Sequence, residues 1–133
     1  MNLKIIYLIL KVYFYEYKTN AKMDLTFSDF EKVAMHVGTI LTVYDFPEAR
    51  KPAYQLIIDF GEIIGIKKTS AQITQRYTKD CLIGRQIVAV VNFPKKQIGK
   101  FISECLVLGA VGTEGDVVLL APDFKIENGL RIS

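Results

Sequence analysis

The sequence predicts a mainly all-β fold, a small five-stranded barrel with short helices, from three observations. Five or six short segments are rich in β-branched and aromatic residues, and turns that contain glycine or proline separate them. A short helical interruption follows the third segment, which is where a five-stranded OB-type barrel carries its helix. Apolar segments continue towards the C-terminus, so we also expect one or more extra C-terminal strands.

The first elements of the predicted domain are a short helix and a long strand. Residues 27–34 form the helix, in which Ser28 is the expected N-cap and Glu31 completes a capping box. Residues 35–44 alternate in polarity with the period of a strand. One face of this strand is predicted to carry Val37, Thr39, Leu41 and Val43.

The remaining elements follow in the order that a barrel requires. A turn over residues 45–52 leads to a second strand at 53–60, and a third strand lies within 63–73. Thr78 is placed to cap a short helical turn that ends at Gly84. Later strands are predicted at 86–93, 103–111 and 117–122.

Residues 1–22 differ from the domain that follows them, which we expect to span residues 23–133. Their apolar run, residues 5–10, is shorter than the roughly 20 residues that a membrane span needs. No small-x-small cleavage site follows it, so a signal peptide is not indicated. We interpret residues 1–22 as an accessory or mis-annotated extension, with Met23 as the start of the protein. A genuine extension, an added strand or a surface anchor, is the alternative.

The composition limits the chemistry that the chain can perform. Its two cysteines, Cys81 and Cys105, suit a reduced cytoplasmic protein better than a disulfide scaffold. With His36 as the single histidine, the chain lacks the set of about four nitrogen and sulfur ligands that structural zinc needs. We therefore expect neither a metal nor a cofactor.

The charge is distributed unevenly. The whole chain has a formal charge of +3, and residues 1–22 account for all of it with four lysines and one glutamate. Within the neutral remainder, residues 50–100 hold ten basic and three acidic side chains, a net charge of +7. A neutral domain with such a basic middle can still present a face that binds phosphate.

The sequence contains no convincing catalytic motif. The run from Gly61 to Ser70 fails as a P-loop, because three residues separate its glycines and Ile66 follows the second. We interpret it as the entry to a strand with two exposed lysines, Lys67 and Lys68. His36 has no evident serine or cysteine partner, so a structural role is the better interpretation. The sequence predicts a binding protein and not an enzyme.

The segment from Asn92 to Ala110 is the strongest candidate for a binding site. Lys95, Lys96 and Lys100 lie on a predicted loop, where ammonium groups can pair with phosphates. Backbone N–H groups and Ser103 can add hydrogen bonds there, and Phe93 or Phe101 can stack on a base if exposed. Spacing alone slightly favours the alternative, a solvated loop with both rings in the core.

This segment resembles the signature loop of the tRNA-binding domain, an OB-fold module. The match consists, in order, of Asn92, Lys95, Lys96, Gly99, Ser103, Leu108 and Ala110. Glu104 and Cys105 depart from the general pattern and resemble the CsaA branch. Further stretches that are similar to that branch lie at residues 37–40, 45–54, 59–73, 84–86 and 92–94. The resemblance covers about residues 33–133.

The resemblance implies a non-enzymatic, export-related chaperone as the first function and a structure-specific tRNA-binding protein as the alternative. CsaA-like proteins are homodimeric, export-related chaperones that bind unfolded precursor polypeptides, whereas their relatives bind tRNA by its shape. The implied RNA contacts are Asn92, Lys95, Lys96, Lys100 and Ser103, with Arg76 and Arg85 as weaker candidates. Candidates for an apolar peptide groove are Phe46, Tyr54, Phe93 and Phe101. The tail 123–133 is a candidate for docking across a partner subunit.

Overall fold

A computed structural model describes residues 2–10 and 24–133, and divides the chain into two units, Met1–Lys32 and Val33–Ser133. The predicted start at Met23 lies outside the described residues. In the first unit, residues 3–10 are helical (α1) and Phe27–Glu31 forms α2. Within the described ranges, no helix has the length and apolar character that crossing a membrane requires.

The predicted cap of α2 is wrong by two residues. Thr26, and not Ser28, precedes the first turn with an extended backbone, and its hydroxyl accepts the N–H of Asp29 at 3.1 Å. Ser28 already lies inside the helix, where its side chain is past the position that caps the free N–H groups.

Short strands and two short helices make up the second unit, residues 33–133. In chain order the strands are β1 (Met35–Asp45), β2 (Tyr54–Asp59), β3 (Ile66–Ala71), β4 (Gln86–Val90), β5 (Lys96–Ile98), β6 (Phe101–Ser103), β7 (Leu106–Val107), β8 (Gly109–Val111) and β9 (Val117–Leu119). The helices are α3 (Gly61–Ile64) and α4 (Lys79–Leu82). Five strands pair antiparallel in the order β3-β2-β1-β4-β7, while β5–β6 and β8–β9 are separate hairpins.

This sheet curls into a nearly closed barrel, which confirms the predicted fold. Its interior is filled by fully buried apolar side chains, each of which contributes about 1.5–3 kcal/mol by leaving water. The largest of them are Phe60, Ile40, Leu56, Ile58, Leu82 and Ile87. β3, at one end of the strand order, contacts the segment that leads into β7, the strand at the other end. There the N–H of Glu104 donates to the carbonyl of Lys68 at 2.8 Å. Thr69 Oγ1 donates to the carbonyl of Cys105 at 2.6 Å beside that bond.

A bulge in β1 makes the predicted strand face wrong. β1 pairs with β4 up to Thr39 and with β2 along most of its length, and the β2 register shifts between Ile40 and Thr42. The extra residue, Leu41, is exposed, whereas Ile40 and Val43 on either side are buried. Because a bulge breaks the two-residue period, simple alternation assigns Leu41 to the wrong face.

The C-terminal half also departs from the predicted strands. The predicted loop around Lys95–Lys100 is a β-hairpin, β5–β6, with Gly99 in the left-handed region at φ 61°. The predicted single strand 103–111 is divided between β6, β7 and β8, because each of them pairs with a different strand. β6 pairs with β5, β7 with β4 and β8 with β9. The run after Gly61 begins as helix α3, and Lys67 and Lys68 are half-buried and not exposed.

Two further predictions concern α4 and the tail. Thr78 caps α4 by accepting the N–H of Cys81 at 3.3 Å, as predicted. The tail lies on β1 of its own chain, where the N–H of Val37 donates to the carbonyl of Leu130 at 3.0 Å. His36 Nδ1 lies 2.8 Å from the carbonyl oxygen of Gly129, which fits the structural role predicted for this histidine.

Candidate nucleic-acid interface

The β5–β6 hairpin is fixed to the barrel by a small polar cluster and an aromatic pair. Thr69, which is 1% exposed, places Oγ1 2.7 Å from Ser103 Oγ and 2.6 Å from the carbonyl oxygen of Cys105. On the other side of the hairpin, the Phe101 ring lies 5.2 Å from that of Phe46. A third contact joins Thr69 Oγ1 to the carbonyl oxygen of Ser70 at 3.3 Å. These buried hydrogen bonds attach the end of β6 to β3.

A groove about 680 Å³ in volume lies between this hairpin and the loop that joins β1 to β2. We call it the basic groove. The β1–β2 loop contributes Arg50 and Lys51, the end of β3 contributes Ser70 and Gln72, and the hairpin contributes Lys96 to Gly99. Glu48 is the one acidic residue that lines it. Lys100, at the tip of the hairpin, lines an adjoining hollow with Phe46 and Phe101.

Four cations around the basic groove have no acidic partner. Arg50, Lys51, Lys96 and Lys100 are exposed, and no carboxylate of the described residues lies within 4.0 Å of their charged nitrogens. Lys95 differs, because its Nζ lies 3.7 Å from Glu104 Oε2. Free, exposed cations on two sides of one groove form a surface that is suited to a phosphate backbone.

Arg76 and Arg85, the weaker RNA candidates, lie elsewhere and have partners of their own. Arg76 Nε donates to Asp116 Oδ2 at 2.6 Å, and this guanidinium lowers the pKa of the Asp116 carboxyl. The Arg85 guanidinium lies over the Tyr77 ring, 5.2 Å from its centre. Neither residue lines the basic groove.

The two polar candidates, Asn92 and Ser103, are used in the fold. Asn92 Oδ1 accepts the backbone N–H of Ala34 at 3.1 Å, so this side chain joins the end of β4 to the start of β1. Ser103 belongs to the cluster around Thr69. Both residues therefore shape the site, and their contact with a ligand stays a prediction.

The four aromatic candidates are not equivalent. Phe46 is buried, and Phe101 is half-buried between Phe46 and Lys68, whose Nζ lies 5.4 Å from the ring centre. The Tyr54 hydroxyl donates to the carbonyl of Tyr77 at 2.9 Å. Phe93 is 56% exposed. The structure therefore does not bring these rings together as one exposed apolar surface.

A second depression of about 440 Å³ lies on the other side of β5. We call it the apolar cleft. It is lined mainly by apolar side chains from the end of β3 and from β7, β8 and β9, which include Ala71, Ile73, Leu106, Val107, Val111, Val117 and Leu119. Lys96 is the one charged residue in this lining. Ser70, Gln72, Lys96 and Ile98 line both the cleft and the basic groove.

Sequence reasoning did not assign Arg50 and Lys51 to the site. They lie 44 or more positions before Lys95 in the chain, and only the pairing of β1 with β2 brings their loop to the hairpin side. The available signal was the excess of basic residues over 50–100, of which these two are the first.

Comparison with known proteins places residues 35–131 of the chain in one family. Residues 35–131 match the family described as "Putative tRNA binding domain". The CsaA chaperone of Bacillus anthracis is 52% identical, with a TM-score of 0.79, and the match covers 84% of this chain and 100% of that one. The CsaA chaperone protein of Picrophilus torridus is 56% identical, with a TM-score of 0.77, over 83% of this chain and 100% of that one.

Curated relatives include much longer proteins. The methionine–tRNA ligase of Thermococcus onnurineus is 34% identical over 116 residues, which is 86% of this chain and 15% of the ligase. That of Acidithiobacillus ferrooxidans is 34% identical over 104 residues, again 15% of the ligase. The chain thus spans about 15% of the length of these relatives, and the similarity concerns one part of them.

Proposed function

We propose that this chain, which belongs to the tRNA-binding-domain family and resembles the CsaA chaperone structures within it, binds tRNA through the basic groove without catalysing a reaction. The observation that carries the proposal is a set of four cations, Arg50, Lys51, Lys96 and Lys100, around one groove and its rim, which have no acidic partner among the described residues. Lysine and arginine contacts to phosphate fix position and orientation but carry no sequence information. Recognition by shape follows from such contacts.

The proposal makes a quantitative statement about salt. If the four cations each replace a counterion on the RNA, the logarithm of the association constant falls with the logarithm of salt concentration with a slope of about −3. Ser70, Gln72 and Gln97 in the same groove can add hydrogen bonds to phosphate or ribose oxygens, which are less sensitive to salt.

Titration of the full chain with bulk tRNA at several salt concentrations tests this function. The variant to compare is the quadruple substitution Arg50→Ala, Lys51→Ala, Lys96→Ala and Lys100→Ala. Its control removes the same number of positive charges outside the groove, through Arg76→Ala, Lys79→Ala, Arg85→Ala and Lys125→Ala. The control separates a local site from a general effect of net charge.

We expect the groove variant to lose at least about 100-fold in affinity and most of its salt dependence, and the control to lose less than about fivefold. Equal losses in the two variants would mean that the chain attracts RNA by its overall charge alone. Circular dichroism on both variants checks that the substitutions, which are all at exposed positions, leave the fold unchanged.

A second candidate function is the binding of unfolded precursor polypeptides, as an export-related chaperone. The high identity to two proteins described as CsaA chaperones supports it, as does the apolar cleft. Apolar depressions at a surface are typical of sites that hold polypeptide segments. Suppression of the aggregation of a chemically unfolded model protein by the full chain tests this function, and failure to suppress it at a tenfold excess would contradict it.

We further propose that the chain acts in the cytoplasm as a homodimer. The tail supports an association surface, because it exposes Phe124, Ile126 and Leu130 by 81%, 47% and 41%. Exposed apolar side chains of this size are typical of association surfaces when they are contiguous. Sedimentation equilibrium of the full chain and of a Phe124→Ser variant tests this proposal, and a monomer for the natural chain at micromolar concentration would contradict it.

A further inference from the structure

The basic groove and the apolar cleft share one stretch of lining residues, which we call the wall. It consists of the end of β3, with Ser70 and Gln72, and of β5, with Lys96 and Ile98. These four residues border both depressions, so a molecule seated on one side touches the same residues as a molecule seated on the other. Lys96 is the one cation that lines both.

The chemistry of the cleft fits an extended segment of polypeptide. Hydrogen bonds that close the barrel are made at Lys68 and Thr69, and the cleft is bordered by Thr69 and by the residues that follow it as far as Ile73. An extended chain can lie along such a strand end and place alternate side chains in an apolar depression. Because Lys96 is the single charge there, the complementary segment is apolar with one carboxylate.

We propose that an extended polypeptide segment occupies the apolar cleft and that its binding and the binding of tRNA exclude each other. This inference rests on both functions proposed above. The exclusion follows from the shared wall, since Lys96 Nζ can pair with a phosphate or with a carboxylate but not fully with both. Ile98 and Gln72 cannot adjust to one ligand without changing the surface that is offered to the other.

Competition between the two ligands tests the inference on the full chain. The probe is a short fluorescein-labelled peptide of leucine, valine and serine with one glutamate, short enough to occupy the cleft alone. Its Kd is measured by fluorescence anisotropy without tRNA and with tRNA at about 100 times its own Kd. Exclusion predicts a rise of about 100-fold in the apparent Kd of the peptide, and an equal reciprocal effect of the peptide on tRNA.

Two pairs of substitutions separate the sites. Leu106→Ser with Val111→Ser alters exposed residues that line the cleft but not the basic groove. This pair should weaken the peptide at least about tenfold and leave the Kd of tRNA within about twofold. Arg50→Ala with Lys51→Ala should do the reverse, and should raise the tRNA concentration that displaces the peptide by the same factor as the Kd of tRNA.

The outcomes distinguish this inference from the proposed functions. Simultaneous binding of peptide and tRNA with unchanged Kd values would overturn the exclusion and leave both functions standing. A peptide that binds the natural chain and the cleft variant equally well would overturn the assignment of the cleft. A peptide that does not bind at all would overturn the inference and count against the chaperone function, while tRNA binding would be untouched.

Discussion

Two regions of the domain carry basic side chains, and they use them differently. Around the basic groove, Arg50, Lys51, Lys96 and Lys100 have no acidic partner among the described residues. Around Tyr77, the guanidinium of Arg76 pairs with Asp116 and that of Arg85 lies over the aromatic ring. The residue types are the same, so pairing and not composition distinguishes the surface that we propose for RNA from a structural one.

The Tyr77 region shows what paired cations are used for. The Tyr77 hydroxyl accepts the N–H of Leu119 at 3.0 Å, and its carbonyl accepts the hydroxyl of Tyr54 at 2.9 Å. Arg76 reaches the turn between β8 and β9 through Asp116, close in sequence to Leu119. These contacts attach the β8–β9 hairpin to the barrel, whereas the charged groups of the four groove cations form no ion pair with any residue that the structure describes.

The largest effect is expected on stability, from removing the hydrogen bonds that attach the β5–β6 hairpin to the barrel. Thr69→Val keeps the shape of the side chain but removes the hydroxyl that contacts Ser103 and the carbonyl of Cys105. We expect a loss of about 0.5–1.5 kcal/mol in the free energy of unfolding, because the Cys105 carbonyl then keeps only the longer hydrogen bond from Ser103 Oγ, at 3.3 Å. Urea unfolding measures it, with Thr69→Ser as the control that retains the hydroxyl. A Thr69→Val variant as stable as the natural chain would contradict the role of this cluster.

A smaller effect is expected from treating the two sides of the basic groove separately. Arg50→Ala with Lys51→Ala, and Lys96→Ala with Lys100→Ala, should each weaken tRNA binding about tenfold at physiological salt. Each pair should also reduce the magnitude of the salt slope by about 1.5. Filter binding at a series of salt concentrations measures both quantities. If the β1–β2 loop pair had no effect while the hairpin pair kept its full effect, the groove would not be the unit that binds.

Much of the fold was predictable because its signals are local. The β-branched runs, the Thr78 cap and the glycine turns each act over a few residues, and all of them appear in the structure. One local signal, the cap of α2, was assigned to Ser28 and not to Thr26. The other failures occur where tertiary structure overrides the local pattern. The bulge at Leu41 lies where β1 has stopped pairing with β4, after Thr39, and continues along β2 in a shifted register. Residues 103–111 are divided because β7 pairs with β4 and β8 with β9. Neither has a signature within its own segment.

The candidate site was predictable only in part, for a related reason. Lys95, Lys96 and Lys100 are close in sequence and were found together, whereas Arg50 and Lys51 join them only through folding. Sequence also does not show which cations are neutralised. Arg76 and Lys95 appear equal to Lys96 in the sequence, yet each has a carboxylate beside it.

Lys95 tests whether pairing with an acid keeps a cation from binding RNA, because the charge of its partner can be removed without altering the fold. Glu104→Gln removes the charge next to Lys95 but keeps an oxygen that can accept the backbone N–H of Lys68. The released ammonium should then take part in RNA binding, and we expect tRNA affinity to rise about two- to threefold. Titration at physiological salt measures the change. An unchanged affinity would mean that Lys95 lies too far from the RNA to contribute, whatever its pairing.

The smallest effect on RNA is expected from Arg76→Gln, where the change should appear in proton binding instead. Arg76 holds the pKa of Asp116 below its ordinary value, chiefly through their hydrogen bond, so this carboxylate stabilises the folded state above that ordinary pKa. The contribution is lost as pH falls through the lowered pKa. In Arg76→Gln the pKa of Asp116 should rise and part of the acid sensitivity disappear, while tRNA affinity stays within about twofold. NMR titration of the Asp116 carboxyl carbon measures the first effect and tRNA titration the second. A loss of tRNA affinity as large as that of the groove pairs would mean that a paired cation also binds RNA, and the distinction between the two regions would fail.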